Sequence, residues 1–187
     1  GDILRHSGLP VTEFRAAIII GSGGASFEII HHLVNRLPVM ICPRWVYTKT
    51  QPIGIDDVIQ YLAESVRGES STGKVIDIGG PEVVTYGEMM LTVARVLGLK
   101  RLLISVPVLT PRLSSYWVNL VTPATVSLAR TLIDSLKYET ICENDQALRL
   151  FGIKPLSLET VVRRALAPAI PDHEKGGLDN FLSGIDS

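Results

Sequence analysis

The chain has 187 residues, 46% of them hydrophobic, and its formal net charge at pH 7 is −1. This length and apolar content are enough for one globular domain with a sizeable core. The near-neutral charge offers no bulk attraction for nucleic acid or for an anionic membrane surface, so we expect neither partner. The longest apolar stretches are short or interrupted by proline and asparagine, and we expect no membrane span.

The cysteines and histidines form no disulfide or metal pattern. Cys42 and Cys142 are far apart in the chain, and neither has a cysteine or histidine at ligand spacing. His31 and His32 are adjacent on a predicted helix, where neighbouring side chains cannot face one ligand. We therefore expect no metal site and a reducing, cytoplasmic compartment.

The opening segment, residues 8–37, has the pattern of a strand, a glycine turn and a helix. Residues 11–20 are apolar apart from Thr12, Glu13 and Arg15, and they end in three isoleucines. A glycine cluster follows at residues 21–24, and residues 26–37 are amphipathic at helical spacing. We predict an α/β fold in which residues 11–20 and 74–78 are central, mainly parallel strands that are covered on both faces.

The glycine cluster supports two interpretations. A dinucleotide-binding turn needs G-x-G-x-x-G/A between a strand and a helix, so that the pyrophosphate sits at the helix N-terminus. Here the third small position is Ser26, and no carboxylate stands about twenty residues further on. A free-standing nucleotide-binding domain built on this turn is one hypothesis. The other is a late strand of a longer Rossmann-like domain.

Residues 43–50 form the most polar and aromatic loop of the chain. Arg44 has the charge to hold a phosphate or carboxylate, and Trp45 has the ring to stack on a planar group. The alternative is a surface hairpin in which Trp45 covers the core. Before a helix at residues 58–66, Asp56 fits as N-cap and Asp57 lies near the positive helix end; a catalytic carboxylate pair is the alternative.

The rest of the chain alternates between predicted helices and strands. Thr85 and Glu88 have capping-box spacing, which predicts a helix that ends at Gly98, and residues 102–106 are a predicted strand. Residues 110–136 are predicted as two helical pieces that wall a substrate cleft or form a dimer face. Asn144 caps a short helix and Ser157 caps the last one, while residues 168–187 are predicted to be a polar tail.

Four segments resemble extended and atypical short-chain dehydrogenase/reductases, in the same order. Residues 7–23 are similar to the strand that reads roughly SGLPVTILRPG in that family, which comes just after the helix carrying its catalytic Tyr-x-x-x-Lys. Residues 51–58 resemble its IHVDDVA segment, residues 73–82 its YNIGGPE segment, and residues 151–161 its closing LGxxPxxxLEExL. The resemblance spans most of residues 1–167 and is nearest to the NAD(P)-binding, nucleoside-diphosphate-sugar epimerase-like branch.

The resemblance implies that this chain is the C-terminal half of such a protein. We then expect a partial Rossmann-like fold with a substrate lobe over residues 1–167, while the dinucleotide-binding half is missing. The family's chemistry is NAD(P)-dependent oxidation, reduction or epimerisation. No tyrosine here has a lysine four residues later, so we expect no catalytic residue in this chain and no activity of the chain alone.

The family also implies which residues meet the ligands. It has Arg-Pro-Gly beside the nicotinamide, and the matching positions carry arginine and two alanines. The cofactor-binding residues predicted in this way are Arg15, Ala16, Ala17 and Ile18. The substrate-binding residues predicted are Phe27, Arg44, Trp45 and Gln51.

The remaining expectations concern cofactor, partners and function. NAD or NADP belongs to the full-length protein, and this chain should bind neither tightly. A partial sheet leaves apolar surface exposed, which predicts a homo-oligomer that associates through the face beside residues 11–20. We expect a small-molecule substrate. A non-catalytic NAD(P)-binding accessory or redox-sensing protein is the alternative function, and a Tyr-x-x-x-Lys pair upstream of this chain would favour the enzyme.

Overall fold

The computed structural model describes residue 3, residues 8–106 and residues 138–167. Within these residues the strands form four two-stranded pairs. Three pairs are parallel: β1 (Glu13–Ala16) with β6 (Val75–Ile78), β2 (Ile19–Ile20) with β5 (Ile53–Gly54), and β3 (Val39–Pro43) with β8 (Leu102–Val106). The fourth pair is antiparallel and joins β4 (Lys49–Thr50) to β7 (Val84–Thr85). The α/β class and the mainly parallel pairing predicted from the sequence are confirmed.

The predicted strand at residues 11–20 is not continuous. It is interrupted at Ala17 and Ile18, so that β1 pairs with β6 while β2 pairs with β5. The isoleucine run is therefore not buried on both faces. Ile20 is 1% exposed, whereas Ile19 is 39% exposed, because alternate side chains of a strand point to opposite faces and only one face of β2 meets the core.

The prediction that β1 and β6 are central strands with two covered faces is wrong in the described part of the chain. They form a two-stranded sheet, so each is an edge strand. One face is apolar, since Phe14 and Ile76 pack in a cluster with Tyr61. The opposite face carries Arg15 beside Asp77 in register, and this polar face is open.

Five α-helices lie within the described residues: α1 (Ala25–Arg36), α2 (Ile55–Arg67), α3 (Tyr86–Val96), α4 (Gln146–Phe151) and α5 (Leu158–Leu166). Short 3-10 turns span Arg44–Tyr47 and Glu69–Ser71. The helices predicted at residues 110–136 and the tail predicted at residues 168–187 lie outside the described residues.

Most of the predicted caps are present. The Glu88 N–H donates to Thr85 Oγ1 at 3.1 Å while the Thr85 N–H donates to Glu88 Oε2 at 2.7 Å, which completes the capping box of α3. After α3 the chain turns at Gly98, whose φ of 69° favours glycine. Ser157 caps α5 by accepting from the Thr160 N–H at 3.4 Å.

The caps of α2 and α4 differ from prediction by one or two residues. Gly54, not Asp56, is the N-cap of α2, because the helix already begins at Ile55. A side chain at residue 54 would come within 2.9 Å of Val161 Cγ2, so the position requires glycine. Asp56 lies in the first turn, where its carboxylate pairs with Arg164 at 2.8 Å. Asp145 occupies the N-cap position of α4 without a side-chain bond, while the predicted Asn144 accepts the N–H of Gln146, the first helical residue, at 2.9 Å.

The buried side chains form two clusters. The larger lies among α1, α3, α5 and β3, and it includes Val34, Met40, Val93 and Val162, all 0% exposed. The smaller lies between the β1–β6 pair and helices α2 and α4. Because both clusters anchor the loops after β1 and β6, they fix the place where those two strands end.

Candidate functional site

A cleft of about 450 Å³ opens along the polar face of the β1–β6 pair, from Val75 at the start of β6 to the ends of both strands. One side is formed by Arg15, Ala16 and Ala17 from the end of β1, and the floor by Asp77 and Ile78 of β6. The far wall is formed by residues 140–144, and Gln51 also lines the cleft.

The structure brings together four of the eight predicted ligand-binding residues. Arg15, Ala16 and Ala17 line the cleft together with Gln51. Ile18 does not line it; this side chain packs against the larger core cluster, and its carbonyl accepts the Ile53 N–H at 2.9 Å. Ile18 therefore supports the cleft from behind.

Gln51 ties the cleft wall to the rest of the domain. Its backbone N–H donates to the Thr140 carbonyl at 2.9 Å. Its side-chain Nε2 donates to the Gly80 carbonyl at 2.7 Å, and Oε1 accepts the Cys142 N–H at 3.0 Å. Each end of the amide makes one bond to protein, so Gln51 holds the wall in place, while one amide hydrogen and one oxygen lone pair are left over for a ligand.

The two glycines after β6 are required by this close packing. A Cβ on Gly79 would lie 2.8 Å from Gln51 Cγ and 2.9 Å from Cys142 Sγ. A Cβ on Gly80 would collide with the Pro52 carbonyl oxygen. The Gly-Gly pair therefore lets the Gln51 segment and the far wall approach the end of β6.

The charges of the cleft are mixed. Arg15 is a cation whose Nε donates to Glu13 Oε1 at 3.0 Å, and its side chain is 59% exposed. The cleft also contains the carboxylates of Asp77 and Glu143. One cation beside two carboxylates suits a neutral ring, a cationic ring or sugar hydroxyls better than a diphosphate.

Cys142 lies in the wall as a thiol. Burial raises its pKa, and the Asp77 carboxylate raises the pKa further. Since the thiolate is the reactive form, this environment does not activate Cys142 as a nucleophile. Cys42 lies in the core, where burial raises its pKa to about 12.

The other three predicted substrate residues do not line the cleft. Phe27 is 1% exposed and stacks on His31 in α1, with ring centroids 6.3 Å apart. Trp45 is half-buried and meets Tyr86 edge-on at 5.9 Å. Arg44 is exposed on the 3-10 turn. Phe27 thus has no surface for a ligand in this conformation.

The glycine turn before α1 is explained by packing. A Cβ on Gly21 would lie 2.7 Å from Ile55 Cγ2, at the start of α2. Gly23 has a φ of 75°, which favours glycine in the turn. A second cleft of about 220 Å³ lies beside this turn, but its cation, Arg164, is paired with Asp56.

The described residues contain neither a metal-binding cluster nor a membrane-spanning helix. In the described ranges no three His, Cys, Asp or Glu side chains gather as a metal site would require. No helix within the same ranges has the length and apolar character of a membrane span.

No protein-family model and no curated protein matches the sequence. Solved structures do match. RMD from Pseudomonas aeruginosa, complexed with NADPH, has a TM-score of 0.59 at 12% identity, over 87% of this chain and 49% of that one. UDP-glucose 4-epimerase from Thermotoga maritima, with UDP-glucose, has a TM-score of 0.58 at 15% identity, over 95% and 50%. UDP-glucuronic acid 4-epimerase from Bacillus cereus, with UDP-glucuronic acid and NAD, has a TM-score of 0.57 at 14% identity, over 86% and 45%.

The fold is that of NAD(P)-binding, epimerase-like proteins. At identities of 12 to 15% the likeness establishes a shared fold and nothing finer. This chain spans about half the length of the epimerase-like structures it matches. The Rossmann-like class inferred from the four sequence segments is confirmed.

Sequence reasoning missed part of the cleft of this epimerase-like fold. One feature of the sequence could have indicated Asp77, because it is a carboxylate in an otherwise apolar strand. Residues 140–144 had none, because they reach the cleft through bonds to Gln51 and Thr50, about ninety positions away in the chain.

Proposed function

We propose that this chain supplies the nicotinamide-side floor and the substrate lobe of an NAD(P)-dependent short-chain dehydrogenase/reductase-like protein, either an epimerase or a reductase. The observation that carries the proposal is the cleft on the polar face of parallel β1 and β6, which extends to the carboxyl ends of both strands. Ligands of open α/β sheets bind outside the carboxyl ends of the strands. The volume, about 450 Å³, is in the usual range for small-molecule sites.

The residues that line the cleft are better suited to bind the nicotinamide end of the cofactor than its pyrophosphate. Ala16 and Ala17 leave room for a flat ring, and Asp77 with Glu143 would oppose a bound diphosphate. A nicotinamide is neutral or cationic, so the two carboxylates do not repel it. Carboxylates also accept hydrogen bonds from sugar hydroxyls, which fits the sugar end, but not the diphosphate, of the UDP-sugars present in two of the similar structures.

The chemistry would come from outside this chain. When bound, NAD or NADP supplies hydride transfer. The residues of this chain bind, orient and exclude water; none is assigned a proton transfer, since the Tyr-x-x-x-Lys pair does not occur in it. Arg44 and Trp45, outside the cleft, are proposed to meet only parts of a substrate that extend beyond it.

Two alternatives are weaker. In a non-catalytic accessory or redox-sensing protein the same cleft would hold nicotinamide without a sugar substrate. A free-standing nucleotide-binding domain would use the turn at residues 21–26, but the close approach that requires Gly21 is made by Ile55 of the same chain. No described cleft places an unpaired cation beside this turn.

Saturation-transfer NMR with NADH, nicotinamide mononucleotide and UDP-glucose tests the proposal. We expect the strongest transfer to the nicotinamide protons, loss of that transfer in Ala17→Trp, and no change in Ala167→Trp, which alters an exposed alanine after α5. Strongest transfer to the adenine protons, unaffected by Ala17→Trp, would overturn it. Nicotinamide binding without UDP-glucose binding would favour the non-catalytic alternative.

A further inference from the structure

Three hydroxyl groups form a connected network behind the far wall of the 450 Å³ cleft. The Thr140 hydroxyl donates to Thr50 Oγ1 at 3.0 Å. Burial raises the pKa of Tyr86, while hydrogen bonds between its hydroxyl and those of Thr140 and Thr50 lower it. Thr50 is 0% exposed and Tyr86 is 5% exposed, so solvent does not compete for these bonds. Of the three residues, only Thr140 lines the cleft.

The backbone holds the three hydroxyls together. The Thr140 N–H donates to the Lys49 carbonyl at 3.1 Å, and the Thr140 carbonyl accepts the Gln51 N–H at 2.9 Å. These bonds bridge Thr140 to Thr50 in parallel register. Tyr86 is the first residue of α3, directly after β7, which pairs with β4. Three segments that are remote in the chain therefore fix the geometry of the network.

The network uses the hydroxyl proton of Thr140. A threonine hydroxyl has one O–H donor and two acceptor lone pairs. Because its proton is donated to Thr50, Thr140 offers a ligand in the cleft only an acceptor. Turning the proton toward the cleft would break a bond to a fully buried oxygen that no water replaces, which is unfavourable.

Two carboxylates that line the cleft have the same hydrogen-bonding character. Asp77 and Glu143 have only acceptor oxygens when they are ionised. Together with Thr140 they form an acceptor cluster, while the donors of Arg15 lie on the other side of the cleft, at the end of β1. A ligand N–H or O–H group gains hydrogen bonds from this cluster, whereas a carbonyl or phosphate oxygen does not.

We propose that Thr140 is a specificity-determining residue that accepts a hydrogen bond from an N–H or O–H group of the ligand, and that Thr50 and Tyr86 are positioning residues that hold its proton away from the ligand. This inference rests on the proposed function, in which a nicotinamide carboxamide and sugar hydroxyls supply such donors. A ligand in which the donor is replaced by a methyl group should lose the bond.

Two nicotinamide compounds that differ in one group test the role of Thr140. Nicotinamide mononucleotide has a carboxamide, whereas 3-acetylpyridine mononucleotide has a methyl ketone and no N–H at that place. Saturation-transfer NMR titrations should give a dissociation constant about two- to tenfold lower for the carboxamide, as expected for one neutral hydrogen bond. Thr140→Val should bring this ratio toward one, and Thr140→Ser should restore it. Thr72→Val, which alters an exposed threonine outside the cleft, should not change it.

The double variant Thr50→Val/Tyr86→Phe tests the positioning residues. It frees the Thr140 hydroxyl to donate to the carbonyl that both compounds carry, so the ratio should fall toward one while both still bind. Tyr86→Phe alone keeps the ring and should shift the ratio less, in the same direction, and Tyr138→Phe is the control because Tyr138 is 73% exposed. Circular dichroism confirms folding. A ratio equal to that of the parent in both variants would overturn the positioning role, since a structural defect weakens both compounds alike.

UDP-glucose distinguishes the two sources of the donor. If Thr140→Val raises the dissociation constant of UDP-glucose about two- to tenfold and leaves the nicotinamide ratio unchanged, the donor is a sugar hydroxyl and the inference holds for the substrate. Unchanged binding of all three compounds by Thr140→Val would overturn the inference and leave the proposed function standing. A parent chain that binds neither nicotinamide mononucleotide nor UDP-glucose would contradict both.

Discussion

Gln51 and Cys142 are 91 positions apart in the chain, yet the Gln51 side-chain oxygen accepts the Cys142 backbone N–H at 3.0 Å. The other end of the same amide donates to the Gly80 carbonyl. One side chain therefore holds two segments of the cleft at a fixed separation.

Gln51→Leu should destabilise the protein and weaken ligand binding in the cleft. It leaves two partly buried backbone groups without partners, which costs about 1–3 kcal/mol. Urea unfolding followed by fluorescence measures the loss. Gln60→Leu, on the exposed surface of α2, is the control and should change the free energy of unfolding by about 0.5 kcal/mol or less. Equal effects of the two substitutions would contradict the role assigned to Gln51.

Gly21→Ala should destabilise the fold because the new methyl group would meet Ile55 at 2.7 Å. We expect a loss of about 1–3 kcal/mol, as in other overpacked sites. Ile55→Gly removes both the Cγ2 atom and the Cβ atom, which would lie 2.9 Å from the new methyl group, so it should relieve the collision and a double-mutant cycle should show a coupling of about 1 kcal/mol or more. Additive effects in thermal unfolding would mean that the glycine is required for some reason other than this contact.

The capping box of α3 should make stability depend on pH. The Thr85 backbone N–H and hydroxyl donate to the Glu88 carboxylate, and these bonds lower its pKa from the ordinary value of 4.5. The stabilisation is fully present above pH 4.5 and is lost as the pH falls through the lower pKa of the folded state. The difference in melting temperature between the parent and Glu88→Gln should accordingly shrink in acid.

Thr85→Ala provides the control for that measurement. It removes the hydroxyl that holds Glu88, at a cost of about 0.5–2 kcal/mol at neutral pH. In this background the difference between glutamate and glutamine at position 88 should depend less on pH but should keep part of its pH dependence, because the backbone N–H of residue 85, the larger cause of the lowered pKa, still donates to Glu88. An unchanged pH dependence would mean that the Thr85 hydroxyl contributes nothing to it.

The chain alone should bind NAD(H) and NADP(H) weakly. Dinucleotide affinity depends on a pyrophosphate at a helix N-terminus and a polar clamp on the adenosine ribose, and the cleft described above offers only the nicotinamide side. The loss of several kcal/mol corresponds to about a thousandfold in dissociation constant. Titration calorimetry measures it. Micromolar affinity that Gly23→Val abolishes would instead support the free-standing nucleotide-binding domain.

Local patterns predicted local structure well. The Thr85–Glu88 spacing, Gly98 and Ser157 identified helix ends correctly, because a cap depends on residues within one turn. Apolar and β-branched composition predicted parallel strands within residues 11–20 and 74–78, but it did not predict that β1 and β6 pair with each other. By contrast, the helical spacing of Phe27 did not predict its burial, because residues that face the core and residues that face a ligand have the same spacing on a helix.

The far wall of the cleft and the exposed apolar side chains of α2 could not be predicted for a different reason. Residues 140–144 have no distinctive composition, and their position depends on a bonding partner about ninety residues away. Ile59 and Leu62 have the periodicity of core residues, and only the structure shows that Val58 and Tyr61 take the core instead. Both features depend on residues that are close in space but far apart in the sequence.

The Thr140–Thr50 and Cys142–Gln51 contacts also have a kinetic consequence. Closing a chain segment of about ninety residues costs about 4 kcal/mol of entropy, which must be offset before these bonds contribute. Contacts of such long range tend to form late in folding and to open early in local unfolding. The cleft should therefore be the last feature completed and the first lost, so that a bound ligand would slow the opening of residues 140–144 and protect their amides from hydrogen exchange.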